Sequence, residues 1–301
     1  MIKKTITVFT PTYNRAYCLS KCYESLRRQT VKAFIWLIID DGSTDDTREL
    51  VDTWKKKPNG FAIEYVYKKN EGLYSGYTTA FDHIQTELCV CVDSDDYLTD
   101  AAIEMILACW KERGGPKYAG ILGLDCTENG TIIGDPLPNQ NAINLIDIAI
   151  GKYAFKNGDR KDIVRTELYK QAVPFASIPG EKDFNPHYLH LEISRTYDFL
   201  VLNEKLCVVN YQPDGMTATV FVQYYRSPKS YRIMRQQELS FPNAPFLFYV
   251  KKTIHYVSSC ILSRSPCIKG TPRKLLAIVL YPLGILLTVF VRLKNLRGHR
   301  S

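Results

Sequence analysis

The stretch Val92–Asp96, VDSDD, puts three carboxylates, Asp93, Asp95 and Asp96, into four consecutive positions. Directly before it runs Cys89–Val92, CVCV, four residues suited to a buried strand. Carboxylates this close repel one another, and burying them without partners is costly. A hard divalent cation offsets the repulsion. Mg²⁺ and Mn²⁺ take oxygen ligands and are often shared between a few carboxylates and substrate phosphates. Such an ion stabilises negative charge on a departing diphosphate. Taken alone, however, the cluster reads better as a solvated acidic turn ahead of a helix. A second acidic run, IIDDGSTDDT at Ile38–Thr47, also follows an apolar stretch.

The elements that would position these acids alternate. Thr5–Phe9 (TITVF), Phe34–Ile39 (FIWLII), Ala62–Tyr67 (AIEYVY), Leu88–Val92 and Tyr118–Leu124 (YAGILGL) read as strands. Leu19, Tyr23 and Leu26 recur at helical spacing between the first two. Ser43 with Asp46 fits a capping box ahead of Leu50, Val51 and Trp54. A helix is expected over Leu73–Ile84. Another, capped by Thr99, would bury Ile103, Ile106, Leu107 and Trp110. This β-α-β-α-β order predicts an α/β fold with a doubly wound, mostly parallel sheet, whose ligands bind at the carboxyl ends of the strands. Both acidic runs fall at such ends. Further on, Asn129-Gly130 is a hairpin signal, helices are expected over 144–150, 162–172 and 188–197, and Tyr/Arg-rich helical segments follow Gly215.

Apolar residues at 46% and charged residues at 23% exclude wholesale disorder. The net charge of +8 is unevenly placed: Arg226–Ser301 holds 14 Lys and Arg against one acid, Glu238, so a mildly acidic body carries a strongly basic tail. Within that tail, Leu275–Val291 runs 17 residues without a charge, with Arg273 and Lys274 before it and Arg292 and Lys294 after. That length is at the short edge of a bilayer span, and Pro282 and Gly284 weaken a straight helix. The stretch is expected to lie along or dip into an anionic leaflet, which explains the basic charge better than nucleic acid does. The opening MIKKTITVF has too short an apolar run for a secretory signal, and nine cysteines without a CxxC pair suit small core thiols in a reduced compartment.

FTPTYNR at Phe9–Arg15, IIDDGSTDDT, NEGLYSGYTTAFDHI at Asn70–Ile84 and VDSDDYLTDAAI each follow one of the first four strands. In this order and spacing the chain resembles the family-2 glycosyltransferases, inverting enzymes of the GT-A fold, of the kind that build surface polysaccharides. The resemblance is strong over roughly the first 110 residues and weak over the next hundred. It implies a Rossmann-like sheet flanked by helices, with a helical C-terminal extension. The implied division is 1–115 for the nucleotide-sugar half, 116–215 for the acceptor half, 216–272 for a helical extension and 273–301 for a membrane-associating helix. It also implies site residues. Pro11, Thr12 and Tyr13 would lie against base and ribose, and Asp41 would accept the imide N–H of a uracil-type base. Asn70 and Gly72 match a donor-side loop, although the family often has a second Gly and a Lys where this chain has Glu71 and Leu73. Asp95 would be the main Mn²⁺ or Mg²⁺ ligand. Asp93 would share the metal and, with Ser94, approach the ribose or sugar, while Asp96 would orient its neighbours.

Inverting transfer is a single displacement, so a general base for the acceptor hydroxyl is needed and no covalent nucleophile. No acid-acid pair matches the family's base, and IPGEKDFNPHYLHLEI offers Glu181 or Asp183. His187 and His190 are better read as structural histidines. The expected hexosyltransferase would take a UDP-linked sugar and pass it to a lipid-linked oligosaccharide at the cytoplasmic face of a membrane, as a peripheral or monotopic protein. The alternatives are a nucleotidyltransferase acting on sugar phosphates and a non-catalytic, membrane-bound sugar-nucleotide-binding protein. TPTYNR has no glycine for the phosphate loop of the former, and there is no GxGxxG for a dinucleotide enzyme.

Overall fold

A computed structural model describes residues 5–175, 177–212 and 219–298. The chain divides into two compact units. The first comprises Met1–Glu71, Ser75–Ala176 and Leu189–Gln212, and the second Gly72–Tyr74, Ser177–Tyr188 and Pro213–Ser301. The expected boundary at 215–216 lies outside the described residues.

In chain order the first unit is built from β1 (Ile6–Thr12), α1 (Ala16–Arg28), β2 (Phe34–Asp40), α2 (Thr47–Lys55), β3 (Ala62–Tyr67), α3 (Leu73–His83), β4 (Leu88–Cys91), β5 (Tyr97–Leu98), α4 (Ala102–Arg113), β6 (Tyr118–Cys126), β7 (Ala142–Ile143), α5 (Leu145–Ala149), β8 (Arg160–Arg165), α6 (Thr166–Ala172), α7 (His187–Ile193) and β9 (Asp198–Val208). The first residues of α3 and α7 cluster with the second unit. The strands form one sheet in the order β3-β2-β1-β4-β8-β6-β9-β5, with β7 on β9. β3, β2, β1 and β4 are parallel; β8 runs antiparallel to both β4 and β6. Continuous apolar runs such as FIWLII suit strands covered on both faces, and β1 is buried along its whole length. Tyr23 of α1 stacks on Trp54 of α2 at 4.4 Å between centroids, over the buried Trp36 of β2.

Four strands had no clear sequence signal. Residues 162–165, expected to open a helix, instead form the end of β8, and helix α6 begins only at Thr166. RKDIVR looks like a surface segment, yet Lys161, Ile163 and Val164 are buried in the middle of the sheet. β9 is masked by its polar centre, where Asn203, Glu204 and Lys205 are exposed between two buried ends. The short β5 and β7 hold two residues each.

Two helix starts also differ from expectation. The Ser43–Asp46 capping box does not form. Asp45 instead accepts the backbone N–H of Thr47 at 3.2 Å and its hydroxyl at 2.6 Å, while Ser43 Oγ accepts from the Asn14 N–H at 2.9 Å. Thr99 does not cap α4; its hydroxyl donates to the Lys205 carbonyl at 2.7 Å. The buried Gln29 takes that place from another element, its Oε1 accepting the Ile103 N–H at 3.1 Å and its Nε2 donating to the Thr99 carbonyl at 2.8 Å. The Asn129-Gly130 turn forms as expected: Gly130 has φ +81°, and Thr127 N–H donates to the Thr131 carbonyl at 2.9 Å.

The second unit contains α8 (Val220–Arg226), α9 (Pro228–Leu239), α10 (Phe246–Leu262), α11 (Lys274–Val279) and α12 (Tyr281–Gly298). Tyr249, Tyr256, Val257 and Cys260 of α10 bury against Leu239 and Ala277. All nine cysteines are free thiols, mostly buried, in line with their reading as core residues. Among the described residues no helix is long and apolar enough to cross a membrane.

Candidate active site

The site grows from the parallel half of the sheet. In register, Thr12 of β1 pairs with Asp40 of β2, and Phe9 of β1 with Cys91 of β4. Three neighbouring strands therefore deliver Pro11-Thr12-Tyr13, Asp41 and Asp93-Ser94-Asp95 to one edge of the sheet. The loops after β1 and β2 are laced together. Asn14, at φ +53°, accepts the Thr44 N–H through its side chain at 2.8 Å, and Asp45 accepts the Ala16 N–H at 3.0 Å. This lacing holds Tyr13 with 48% of its surface exposed, a ring free to stack on a planar base.

Asp41 is buried, and its backbone N–H donates to the Thr12 carbonyl at 2.9 Å. Its carboxylate accepts from Lys68 Nζ at 2.8 Å and from the Glu71 N–H at 3.0 and 3.2 Å. Lys68 also meets Glu71 at 3.1 Å. Lys68 is thus a site residue that the sequence reading missed; a Lys at a strand end carries no signal of its own. Asn70 lies against Gly42, where an added Cβ would sit 2.9 Å from the Asn70 nitrogen. Gly42 has φ +88°, so this close approach and this backbone both require glycine.

In the acidic cluster Asp93 is exposed, Ser94 buried, Asp95 half-buried and Asp96 buried. The Asp96 N–H donates to the Asp93 carbonyl at 3.0 Å, which closes the turn, and its carboxylate accepts from the Asn210 N–H at 2.9 Å. Burial pushes Asp96 up to about 7; Lys161 opposes this shift and Asp93 adds to it. Burial likewise pushes Asp125 of β6 up to about 6, against the pull of Lys161. Lys161 Nζ lies 3.9 Å from Asp125 Oδ1. Burial works against the Lys161 ammonium, but Asp125, Cys207, Asp96 and Asp93 hold it well above its ordinary value. Lys161, Asp125 and Asn210 are the second group that the sequence reading missed: Lys161 lies on the unrecognised β8, Asp125 one residue past the expected end of β6, and Asn210 two residues past the unrecognised β9.

The donor set fits a hard divalent cation. Asp93 and Asp95 offer oxygens only, at the accessible side of a cluster whose buried carboxyls already resist ionisation. Among the described residues no group of three or more His, Cys, Asp or Glu could hold a metal. Two carboxylates that leave positions for phosphate and water suit Mg²⁺ or Mn²⁺ rather than an all-protein cage.

Glu181, Asp183 and Gly72 belong to the second unit. Gly72 has φ +93°, and a Cβ there would collide with the backbone of Lys182, the residue between the two acids. Glu181 is buried and fully engaged at the start of α9. It accepts the Lys229 N–H at 2.9 Å, and the Ser230 N–H and hydroxyl at 2.7 Å each. Asp183 accepts from the Ser227 hydroxyl at 2.7 Å and meets Arg226 at 3.4 Å. In the first unit His190 is structural, as expected: it is buried and bonded to the Tyr169 hydroxyl, with Asp162 at 3.4 Å from Nδ1.

Residues 7–115 match the family model described as "Glycosyl transferase family 2". An uncharacterized glycosyltransferase of Rickettsia felis is 37% identical over 108 residues, 36% of this chain and 17% of that relative, so the chain spans about a sixth of such relatives' length. The "GalNAc(5)-diNAcBac-PP-undecaprenol beta-1,3-glucosyltransferase" of Campylobacter jejuni is 27% identical over 200 residues, 62% of each chain. Among solved structures, residues 1–349 of Staphylococcus aureus TarS in complex with UDP-GlcNAc align over 98% of this chain and 92% of that one, at TM-score 0.62 and 16% identity. The mannosyltransferase PcManGT of Pyrobaculum calidifontis, in complex with GDP-Man and Mn²⁺, covers 99% and 82% at TM-score 0.54 and 18% identity. At that identity the structures speak for the fold, which is GT-A-like. The motif order at the strand ends and the matched family model agree over residues 7–115, the part of the chain that is similar to glycosyltransferase family 2.

Proposed function

We propose that the chain transfers a hexose from a UDP-linked donor to an acceptor hydroxyl, in one displacement with inversion. The observation that carries this reading is the delivery of an exposed aromatic, a buried carboxylate and an acid-x-acid pair to one edge of the sheet by β2, β1 and β4. Tyr13 stacks on the base, with Pro11 and Thr12 shaping the floor beneath it. Asp41 reads the imide N–H, and Lys68, at 2.8 Å, orients that carboxylate. Asn70, beside the Asp41 contacts, serves the donor-side loop, which the chain continues through Gly72. Asp93 and Ser94 approach the ribose or sugar. Mn²⁺ or Mg²⁺, held by Asp95 and Asp93, would neutralise the charge that develops on the departing diphosphate.

Of the two candidate bases, we assign the role to Asp183. Glu181 spends both oxygens on three donors at the start of α9, and its task is to hold that helix and the Gly180–Asp183 turn. Asp183 keeps capacity to accept a proton from the acceptor hydroxyl, oriented by the Ser227 hydroxyl. Residues 1–115 serve the donor and 116–215 the acceptor. The acceptor is a lipid-linked oligosaccharide met at the cytoplasmic face of a membrane, consistent with the polyprenyl-linked acceptor in the name of the Campylobacter relative and with the basic, apolar C-terminus.

A panel of nucleotide sugars tests this, scored by thermal shift and by metal-dependent nucleotide release. A ligand that binds the folded state alone raises its apparent stability. UDP-linked sugars should shift the transition only with Mn²⁺ or Mg²⁺ present. Asp95→Asn should lower nucleotide release by about 100-fold with the fold retained. A metal-independent shift, or full release by that variant, removes the assignment.

A further inference from the structure

Helix α12 is amphipathic in reverse. Its inward stripe is Gly284, Thr288, Val291 and Asn295, spaced four, three and four residues apart, all buried. Gly284, Thr288 and Asn295 are small or polar, and Val291 packs against Tyr224 and Tyr231. At Gly284 an added Cβ would overlap the Val257 side chain of α10, so glycine sets how closely the two helices approach. Thr288 Oγ1 donates to Ser258 Oγ of α10 at 3.0 Å. Asn295 Nδ2 donates to the Phe221 carbonyl of α8 at 3.2 Å. The outward stripe is Leu286, Val289, Phe290 and Leu293, and α11 adds Leu275 and Ile278. Leu275 is 75% exposed, Leu286 64% and Phe290 51%. A helix that packs against protein in water shows the opposite arrangement, apolar inward and polar outward.

The break between α11 and α12 falls at Leu280, with Pro282 in the first turn of α12. The apolar stretch is therefore two helices docked on their unit, not one rod that crosses a bilayer. At about 100° per residue, Arg292 and Lys294 fall on the two shoulders of α12, between the outward apolar stripe and the inward polar one. Both are exposed, and the Lys294 ammonium lies over the Phe221 ring at 3.9 Å. Long basic side chains on such shoulders keep their heads at a polar boundary while their stems cover apolar surface. Among the described residues from 219 onward the only acid is Glu238, and its carboxylate is bound to Arg235 and Lys252. The exposed cations Lys251, Lys269 and Lys274 face no exposed carboxylate on this part of the chain.

We infer that α11 and α12 form an in-plane anchor for an anionic lipid surface, with Leu286, Val289, Phe290 and Leu293 set among the acyl chains and Arg292 and Lys294 at the phosphate level. This deepens the membrane placement proposed above and names its contact. The apolar stripe gives the depth and the basic shoulders give the preference for negative headgroups. The Gly284–Thr288–Asn295 stripe ties the anchor to its own unit through hydrogen bonds, which outlast the loss of water on the other face.

Flotation of the full chain with vesicles tests the anchor directly. Vesicles rich in phosphatidylglycerol should carry the protein at low salt, and pure phosphatidylcholine vesicles should carry at least tenfold less. Leu286→Gln with Leu293→Gln should abolish flotation while the circular dichroism spectrum and melting temperature persist. Arg292→Gln with Lys294→Gln should remove the preference for phosphatidylglycerol. Flotation of the double Leu variant at the wild-type level overturns the anchor. So does a wild-type chain that stays with the soluble fraction as a defined dimer in light scattering, which would make a second copy the occupant of the face. Nucleotide release is read on the same samples in the absence of vesicles. Lost flotation with intact release sinks the anchor alone, and intact flotation without any donor-dependent release sinks the transferase reading alone.

Discussion

Asp41 and Asp183, proposed above to read the base and to take the acceptor proton, are carboxylates already partnered by the fold, and this makes their substitutions informative. Asp41 is bonded to Lys68 and to the Glu71 N–H. Asp41→Asn should weaken UDP affinity about tenfold, the loss of roughly one charge-assisted hydrogen bond, in calorimetric titration. Lys68→Met should weaken it too, because the carboxylate then loses its cation. Unchanged affinity in both variants would count against base reading at this position. The two acids of the 181–183 turn should separate by kind of defect. Glu181→Gln removes a charged cap from α9 and should cost about 1 kcal/mol of stability with modest kinetic effect. Asp183→Asn should lower kcat by about 100-fold or more at nearly unchanged melting temperature. A reversed pattern would move the base to Glu181.

At the scale of elements, the link that sequence reading overlooked most clearly is Gln29. It lies just past α1, caps α4 and also holds the Thr99 carbonyl. Gln29→Leu should lower unfolding free energy by about 1–2 kcal/mol in urea titration, because it strands both a helix N–H and a buried carbonyl. Gln29→Glu should recover the bond to Ile103 but not the one to Thr99, and so lie between. The case illustrates what was legible. The four parallel strands and their helices were readable from apolar runs, and so was the placement of the acids at the strand ends. Such signals are local. Lys161 was not readable, since β8 is held by pairing partners far along the chain, nor was Asn210, two residues past the equally long-range β9. A Lys within RKDIVR looks like a surface residue until Asp125 stands beside it. The Ser43–Asp46 pattern misled for the same reason: Asn14, a residue from another loop, claimed the serine. The reversed α12 could be suspected from its missing polar face, but which residues point inward required the contacts with Val257 and Ser258.

At the scale of the whole molecule, buried histidine gives the protein an acid-sensitive element apart from its site. Burial lowers His190 from 6.5 to about 4. A neutral ring uses both nitrogens, with Nδ1–H directed to Asp162 and Nε2 accepting from Tyr169. In the unfolded chain the imidazole titrates near its ordinary value. Between pH 6.5 and about 4 the unfolded state therefore binds a proton that the folded state refuses, and stability must fall as pH falls through that window. Complete loss amounts to on the order of 3 kcal/mol from this ring. Asp125 acts with the opposite sign. Its folded value of about 6 exceeds the unfolded one, so its term erodes stability as pH rises from about 4 to 6. Asp96, at about 7, adds to the Asp125 slope, and His255, lowered to about 4 by burial, adds to the His190 slope, so carboxyls and imidazoles partly cancel in the wild-type chain, which should show a shallow pH dependence of unfolding. Asp125→Asn should expose the histidine and steepen the acid loss, while His190→Gln should lower overall stability yet reverse the slope between pH 4 and 6. Chemical denaturation at half-unit pH steps measures both slopes. Parallel curves for wild type and His190→Gln would show that the ring is protonated in the fold, and would make Asp162 its ion-pair partner instead.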